Sequence, residues 1–280
     1  MALPDAARRD AALRRPPLDA DALNTRLVRP GGLWREIRVT GETGSTNADL
    51  LAEARAGAAE GLVLVAETQT GGRGRLGRSW SSPPRAALTV SVLLRPAAVP
   101  PAARPWLPLL TGIAVAAALR DEAGVTAGLK WPNDVLVADR KIAGILAEAQ
   151  GDAIVAGVGL NVTLTRAELP VPTATSLLLE NAACLDRERL LAAVLTELAG
   201  RYTAWAAGPD AAALRAEYLR WCVTVGREVR VELPGGTLLT GTATDVDATG
   251  RLAVRTSSGT ELVGAGDVVH VRAAPASPRT

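Results

Sequence analysis

The sequence predicts an α+β protein in which a domain with a mixed β-sheet precedes a small β-barrel. Helix-like and strand-like segments alternate over residues 36–221, which indicates helices packed on a sheet. After them come short strand-like segments separated by glycine turns, the pattern of a barrel of the SH3 size class. The predicted divisions are a lead-in that is poorly ordered or a short helix (1–35), the sheet domain (36–222), the barrel (223–273) and a disordered tail (274–280).

The first half of the sheet domain contains clear signals for the ends of its elements. Residues 45–57 start with serine and threonine and stop at a glycine, so they predict a capped helix. Residues 62–66 and 87–94 are apolar runs rich in branched side chains and predict buried strands. Residues 106–124 predict a helix with a proline near its first turn and a glycine at its end.

The second half of this domain predicts strands that follow one another closely. The candidates are residues 129–131, 134–138, 141–149 and 153–162. Because tight turns join them, neighbouring candidates pair antiparallel, which makes the sheet mixed rather than fully parallel. Helices predicted at residues 186–207 and 209–221 close the domain.

Composition argues against several classes of function. Lys and Arg number 31 against 29 Asp and Glu, a balance that does not indicate a nucleic-acid or membrane partner. The longest apolar stretch is too short to span a bilayer, and Pro108 and Gly112 interrupt it. A single histidine, His270, excludes a multi-histidine zinc site and is interpreted as an ordinary strand residue. Two cysteines without metal or disulfide spacing favour a reducing cytoplasm.

Residues 70–80, TGGRGRLGRSW, concentrate glycine and arginine directly after a predicted strand. This loop lacks the Gly-Lys-Ser/Thr ending of a P-loop, and no long helix follows it as in a dinucleotide-binding fold. Arg73, Arg75 and Arg78 can hold carboxylate or phosphate oxygens through paired N–H donors. The loop alone predicts either a mobile lid over an anion or a solvated basic turn.

A second group of polar residues occurs in LKWPNDVLV and just after it. A ring, an amide and a carboxylate come close together at Trp131, Asn133 and Asp134. The two lysines of the sequence, Lys130 and Lys141, lie on either side of these residues, while arginine carries the other cationic positions. This distribution indicates a need for compact positive charge in a tight site.

Glycines inside the predicted strands indicate where a ligand approaches the sheet. Gly144, Gly157 and Gly159 weaken their strands, so they predict close contact between a ligand and the backbone. On a regular strand that starts at Lys141, alternation places Lys141 on the face opposite to Gly144.

Five motifs in this order, GSTN, ETQTGGRGRLGRSW, KWPNDV, KIAGILAE and GVGLNV, resemble the biotin–protein ligases. The resemblance runs from residue 36 to the end and implies a mixed-sheet catalytic domain related to class II aminoacyl-tRNA synthetases, followed by an SH3-like β-barrel. The repressor members' N-terminal helix-turn-helix has no counterpart before Trp34, so DNA binding is not expected. Leu76 stands where the family often carries another basic residue.

The resemblance implies a reaction in two steps. Biotin is activated with ATP and Mg²⁺ as biotinyl-5'-AMP, and biotin then passes to a specific lysine of the biotin carboxyl carrier domain of a carboxylase. Lys141 is expected to be the main electrostatic catalyst, and Arg75 to retain the adenylate under a closing lid that excludes water. Asp134 is expected to polarise the incoming amine and is the candidate metal ligand.

The resemblance also implies the binding residues. Those expected to bind biotin are Ser45, Thr46, Asn47, Gln69, Gly72, Arg73, Arg75, Lys141, Gly144 and Gly157. Those expected to bind ATP and the adenylate are Arg73, Arg75, Arg78, Trp80, Lys130, Asn133, Lys141 and Asn161, with Trp80 stacking on adenine. Ser45 and Thr46 can instead cap their helix, and Trp80 and Trp131 can instead be core residues.

The expected partners are biotin, ATP and the carrier domain, without DNA or membrane, and both a monomer and a weak dimer remain open. Three other functions are also considered: a lipoate–protein ligase of the same fold, a nucleic-acid-binding protein that uses the Arg/Gly loop, and a catalytically inactive carrier-binding module, against which the complete set of motifs argues. The motifs GRGRLGR and KWPND favour biotin. Near-neutral charge and few aromatic residues count against nucleic acid.

Overall fold

A seven-stranded mixed sheet and a five-stranded antiparallel sheet form the framework of the protein. The structure is a computed structural model that describes residues 10, 13–208, 210–233 and 235–271. The tail predicted to be disordered at 274–280 lies outside the described residues.

The predicted helices and strands between residues 36 and 271 are present, with ends shifted by a few residues. The described helices are α1 (Ala20–Leu27), α2 (Thr46–Arg55), α3 (Trp106–Ala123), α4 (Arg187–Ala207) and α5 (Ala211–Trp221). The large sheet contains β1 (Glu36–Thr40), β2 (Leu62–Ala66), β3 (Ala87–Leu94), β4 (Gly128–Lys130), β5 (Asp134–Val137), β6 (Arg140–Gln150) and β7 (Ala153–Asn161). The small sheet contains β8 (Glu228–Glu232), β9 (Leu238–Val246), β10 (Leu252–Thr256), β11 (Gly259–Val263) and β12 (Asp267–His270).

The large sheet runs in the order β1-β2-β3-β7-β6-β5-β4. The β1–β2 pair is parallel, and the remaining pairs are antiparallel, which confirms the mixed sheet predicted from the tight turns. The small sheet follows the order β11-β10-β9-β8-β12.

Helices pack on both faces of the large sheet, because its strands carry apolar side chains on both sides. Leu64 on β2 and Val155 on β7 pack with Leu50 of α2 on one face. Their strand neighbours belong to the main core on the opposite face, together with the almost entirely buried helix α3. Gly124 ends α3 in the left-handed conformation, at φ 66°.

The segment before β1 contains a helix that is tied to the sheet domain. Asp19 caps α1 by accepting hydrogen bonds from two backbone amides, and Leu23 of that helix is buried. Upstream of it, Arg15 donates to Glu168 at 2.7 Å and lowers the pKa of that carboxyl to about 2. The described part of this segment thus contains one helix, α1, which packs on the rest of the chain through Leu23.

Two tryptophans join the large domain to the small sheet. The indole Nε1 of Trp131 donates to the carbonyl of Gly250 at 2.9 Å, and that of Trp106 donates to the carbonyl of Ala248 at 2.8 Å. Trp131 is 1% exposed. It is therefore a core residue, which was the alternative to a stacking role.

None of the described helices is long and apolar enough to cross a membrane. Both cysteines are free.

Candidate active site

A cavity of about 1400 Å³ opens between the large sheet, the glycine and arginine loop, and the last strand of the small sheet. It collects the predicted binding and catalytic residues, except Thr46 and Gly72, which lie behind its wall. The predicted residues that line it are Ser45, Asn47, Gln69, Arg73, Arg75, Arg78, Trp80, Lys130, Asn133, Asp134, Lys141, Gly144, Gly157 and Asn161.

The loop folds into a small hairpin, the lid hairpin (residues 72–79), that borders the cavity. A bridge between Arg73 and Ser79 closes its base, and residues 75–77 form one 3₁₀ turn. Leu76 at the tip has φ 55° and ψ 37° and is 65% exposed. A leucine in this left-handed region is strained, so the tip is not held by its own backbone preference.

Lys141 and Asp134 form the central ion pair of the cavity. Lys141 Nζ lies 2.5 Å from Asp134 Oδ1, and Lys130 Nζ lies 4.0 Å from Asp134 Oδ2. Hydrogen bonds from Lys141 N to Thr173 O and from Thr175 N to Lys141 O, both 2.8 Å, fix the backbone at this position.

The prediction that Lys141 faces away from Gly144 is wrong. The pairing of β5 with β6 shifts by one residue, so that Val135 pairs with Ala143 while Leu136 pairs with Lys141. This bulge interrupts the alternation of the strand, and the ammonium of Lys141 comes to lie beside Gly144. The bulge therefore turns the lysine into the cavity.

Arg75 connects the lid hairpin with the strand that carries Asp134. Its Nη1 donates to Asn133 Oδ1 at 3.2 Å, and Asn133 Nδ2 donates to the carbonyl of Ile145 at 2.9 Å. Burial lowers the pKa of the Arg75 guanidinium, while the carboxylates of Asp134 and Asp267 oppose that decrease. Arg75 is thus a partly desolvated cation at the edge of the cavity.

The strand glycines make room for side chains of the protein itself. A Cβ at Gly159 would lie 2.4 Å from Trp80 Cε2, and one at Gly157 would lie 2.2 Å from Asn47 Oδ1. At Gly144 the nearest atoms are Cε and Nζ of Lys141, both at 3.0 Å. The close approach predicted for a ligand is made here by Trp80, Asn47 and Lys141.

Polar side chains at the start of α2 form a buried network beside the cavity. Gln69 Oε1 accepts from the backbone N–H of Thr46 at 2.9 Å and from its hydroxyl at 3.0 Å. Ser91 Oγ lies 2.7 Å from Thr46 Oγ1 and donates to Asn47 Oδ1 at 2.6 Å. Ser45 caps α2 by accepting from Ala48 N at 3.4 Å. These bonds hold Ser45 and Asn47 at the wall.

Asn161 and Trp80, both expected to contact the nucleotide, differ in whether their polar side-chain atoms have hydrogen-bond partners within the protein. Asn161 is 4% exposed and donates from Nδ2 to the carbonyl of Thr175 at 2.9 Å. Trp80 has its ring 5.9 Å from Lys141 Nζ, and its buried Nε1 makes no hydrogen bond within the described structure.

The small domain contributes residues that the sequence pattern did not indicate. Asp267, Val269 and His270 of β12 line the cavity, although nothing in the sequence pattern of a short terminal strand marks them. His270 Nε2 lies 3.1 Å from Thr224 Oγ1. Burial, followed by the charges of Lys130 and Arg227, lowers the pKa of His270 to about 4, so its ring is neutral at neutral pH.

The described residues do not supply a metal site of their own. No cluster of three or more His, Cys, Asp or Glu side chains that could hold a metal ion occurs among them. Both carboxylate oxygens of Asp134 face lysine ammonium groups. Asp134 in this arrangement does not fit the role of metal ligand.

A Gly159→Ala substitution is expected to lower the free energy of unfolding by about 1–3 kcal/mol, because the new methyl group overlaps the Trp80 ring. Chemical denaturation measures this value. A methyl group at Gly200 of α4 would meet no neighbouring atom within 4 Å, so Gly200→Ala is the matched control and should stabilise by about 0.5–1 kcal/mol. Equal effects at both positions would contradict the packing of Trp80 on β7.

Comparison with known proteins agrees with this architecture. The family model described as "Biotin/lipoate A/B protein ligase family" matches residues 42–164, and the one described as "Biotin protein ligase C terminal domain" matches residues 224–271. The mixed sheet, the cavity under the lid hairpin and the small domain thus define the class of biotin and lipoate protein ligases.

Individual relatives indicate which kind of ligase within this class the chain resembles. A biotin–[acetyl-CoA-carboxylase] ligase of Mycobacterium tuberculosis is 47% identical over 92% of this chain and 97% of its own length. Another from Paracoccus denitrificans is 31% identical over 81% of this chain and 97% of its own length. A solved biotin protein ligase from Aquifex aeolicus, in complex with biotin and ATP, has a TM-score of 0.72 and 28% identity, covering 86% of this chain and 100% of that one. The chain belongs to the biotin protein ligases.

Proposed function

We propose that this ligase activates biotin with ATP as biotinyl-5'-AMP and transfers the biotinyl group to a lysine of the carrier domain of a carboxylase. The observation that carries the proposal is the excess of positive charge in the cavity. Six cationic side chains and three carboxylates line it. The cationic ones are Arg73, Arg75, Arg78, Lys130, Lys141 and Arg227, and the acidic ones are Asp134, Asp139 and Asp267.

In the first step a carboxylate oxygen of biotin attacks the α-phosphorus of ATP. The new P–O bond forms as the bond to the β-phosphate breaks, and pyrophosphate leaves. Both reactants are anions, so positive charge between them reduces their repulsion and stabilises the charge that develops. Lys141 is the best-placed cation for this role, because the bulge directs it into the cavity and Asp134 holds its ammonium at 2.5 Å.

In the second step the neutral amine of the carrier lysine attacks the acyl carbon of the mixed anhydride. The amide bond forms, the bond between acyl carbon and phosphate oxygen breaks, and AMP leaves with the electron pair. The amine loses a proton, and Asp134 is the carboxylate beside Lys141 that can attract it. The lid hairpin excludes water from the anhydride during the interval between the steps.

Uncharged polar groups suit the ureido ring of biotin, which has two N–H donors and one carbonyl acceptor. Ser45 and Gln69 present such groups at the cavity wall, held by the bonds at the start of α2. Each hydrogen bond to the ring contributes about 0.5–1.5 kcal/mol net. Trp80 and Asn161, on the neighbouring part of the wall, are assigned to the adenine and ribose side of the nucleotide.

We infer that Mg²⁺ enters the cavity bound to the phosphates of ATP. Mg²⁺ is commonly held by substrate phosphates and water with few protein ligands, so ATP can carry the ion into a site whose one central carboxylate is engaged by lysines. The two free cysteines agree with a reducing compartment, and we assign the protein to the cytoplasm on that basis.

An assay with ATP, Mg²⁺, a purified apo carrier domain and either biotin or lipoate tests the proposal. Transfer of biotin to one lysine of the carrier, identified by mass spectrometry, is the expected result. Transfer of lipoate without transfer of biotin would instead support the lipoate–protein ligase. Binding of single-stranded nucleic acid without either transfer would support the nucleic-acid-binding alternative.

An Arg75→Gly substitution is expected to release biotinyl-adenylate into solution and to label unrelated lysines, since the lid loses its contact with Asn133. The measurement is the rate of biotin attachment to a non-cognate protein such as albumin, which we expect to rise by at least about tenfold because a lid–adenylate contact by a charged donor contributes about 1.5–3 kcal/mol. Arg166, exposed and outside the cavity, offers the control Arg166→Gly. Unchanged selectivity in Arg75→Gly would contradict the role of Arg75.

A further inference from the structure

Two arginine side chains make the hydrogen bonds that join the lid hairpin to the rest of the described chain. Arg75 reaches Asn133 in the catalytic domain, and Arg78 reaches Asp267 in the small domain. The other hydrogen bonds of residues 72–79 stay within the hairpin and its base, at Trp80. The position of the lid therefore depends on these two tethers.

The second tether is a bidentate ion pair. Arg78 Nη1 donates to Asp267 Oδ1 at 3.3 Å, and Nη2 donates to Oδ2 of the same carboxylate. This geometry is more specific than a single contact, because both N–H groups and both oxygens must align. The charge of Asp267 also opposes the decrease that burial causes in the pKa of Arg75, so this carboxylate acts electrostatically on both arginines.

The small sheet gains nothing from a carboxylate at this position. Asp267 pairs directly with Glu232 on the neighbouring strand β8, and directly opposed like charges destabilise an antiparallel pair. Glu232 is exposed and acts on Arg78 only at a distance. The favourable contact of Asp267 is thus the one that leaves its own domain.

We infer that Asp267 is a positioning residue that holds the lid hairpin closed over the acyl-adenylate through Arg78. The inference rests on the proposed function for the identity of the enclosed intermediate, and on the ion pair alone for the position of the lid. The strained tip at Leu76 does not fix the lid by itself, and the neighbouring glycines leave the loop free to move.

The Arg78–Asp267 ion pair is expected to stabilise the closed lid only slightly, which agrees with a lid that must open in each catalytic cycle. Arg78 has a side chain that is 63% exposed, and Asp267 one that is 25% exposed. A pair exposed to this degree shifts an equilibrium by about fivefold at most, which favours the closed lid without locking it. High salt screens such a pair, so the contribution should decrease in about 1 M salt.

The first test measures the lid without any ligand. We expect Asp267→Asn to increase the rate of trypsin cleavage after Arg73 by about three- to fivefold, the range set by a partly exposed ion pair. Cleavage after Arg73 is the readout because that residue does not touch Asp267. Glu232→Gln, which removes the neighbouring carboxylate but not the contact, is the matched control and should cleave at the wild-type rate. Removing the opposed charge in either variant should leave the domain folded.

The second test measures retention of the intermediate. Enzyme is loaded with labelled biotin and ATP in the absence of acceptor, and release of biotinyl-adenylate is followed by rapid filtration. Asp267→Asn should release it about three- to fivefold faster, with Asp267→Glu restoring most of the retention.

The outcomes separate the inference from the proposed function. A wild-type enzyme that forms no biotinyl-adenylate contradicts the proposed function, and the trypsin result then decides the lid position alone. A wild-type enzyme that forms it, with Asp267→Asn unchanged in both tests, overturns the inference. Faster trypsin cleavage of Asp267→Asn with unchanged release of biotinyl-adenylate would show that the ion pair positions the lid but does not retain the intermediate. This outcome also overturns the inference.

Discussion

Lys141→Ala is expected to reduce the rate of biotinyl-adenylate formation by about 100- to 1,000-fold, the range seen when a preorganised group that stabilises transition-state charge is removed. The reason is the approach of two anions, whose repulsion this ammonium offsets from a fixed position. Its backbone is fixed on both sides by residues 173–175, and its side chain by Asp134. Pyrophosphate release from enzyme, biotin and ATP without acceptor measures this step alone.

Two further variants separate the charge from the position. Lys141→Arg keeps the charge but brings a planar guanidinium into a space bounded by Gly144 and the Trp80 ring, so we expect only partial activity. Lys130→Ala removes the lysine that lies 4.0 Å from Asp134 and should cost less than Lys141→Ala. Adenylate formation by Lys141→Ala within about threefold of the wild-type rate would contradict the assignment.

The elements of the fold were predictable where the signal is local. The run at residues 62–66, the apolar stretch that becomes α3 and the glycine at 124 each determine their structure through neighbours in sequence. Tight turns likewise predicted which strands pair, because a short connection leaves an antiparallel partner as the main choice. These features involve few residues and short loops.

The arrangement of the cavity was predictable only in part, because it depends on contacts distant in sequence. The bulge at the start of β6 leaves no mark in the apolar pattern, so a regular alternation placed Lys141 on the wrong face. Lys141 and Asp134 were nonetheless named as site residues from the sequence. Lysine is scarce in this chain, and both residues lie in or next to a polar motif. Their roles in biotin and nucleotide binding remain predictions.

The contribution of the small domain could not be read from the sequence. Asp267 lies in a short strand near the end of the chain, 189 residues from the arginine that it contacts. Nothing local distinguishes it from other acidic residues of the small sheet. For Trp131 the sequence instead suggested a functional role that the structure does not show. Its place in a polar motif suggested a ring that stacks on a ligand, but the ring is buried in the core.

Arg187→Leu is expected to lower the free energy of unfolding by about 3–5 kcal/mol, because it leaves a buried carboxylate without its counter-ion. Arg187 and Glu67 have side chains that are 5% and 6% exposed, with Nη1 2.6 Å from Oε2. The same pair fastens the segment before α1, since Glu67 Oε1 accepts from Leu18 N at 2.7 Å and Arg187 Nη2 donates to Pro16 O at 2.6 Å. Denaturant unfolding measures the loss.

A control on the same helix and a double variant distinguish a buried charge from a lost contact. Arg189 pairs with Glu122 but is 61% exposed, so Arg189→Leu should cost no more than about 1 kcal/mol. Replacing both Glu67 and Arg187 with leucine removes the stranded charge and leaves the Leu18 amide and Pro16 carbonyl without these partners. The double variant should therefore lie only about 1–3 kcal/mol below the wild type, closer to it than Arg187→Leu. If the double variant were less stable than Arg187→Leu, the pair would stabilise by its own attraction rather than by avoiding an unpaired charge.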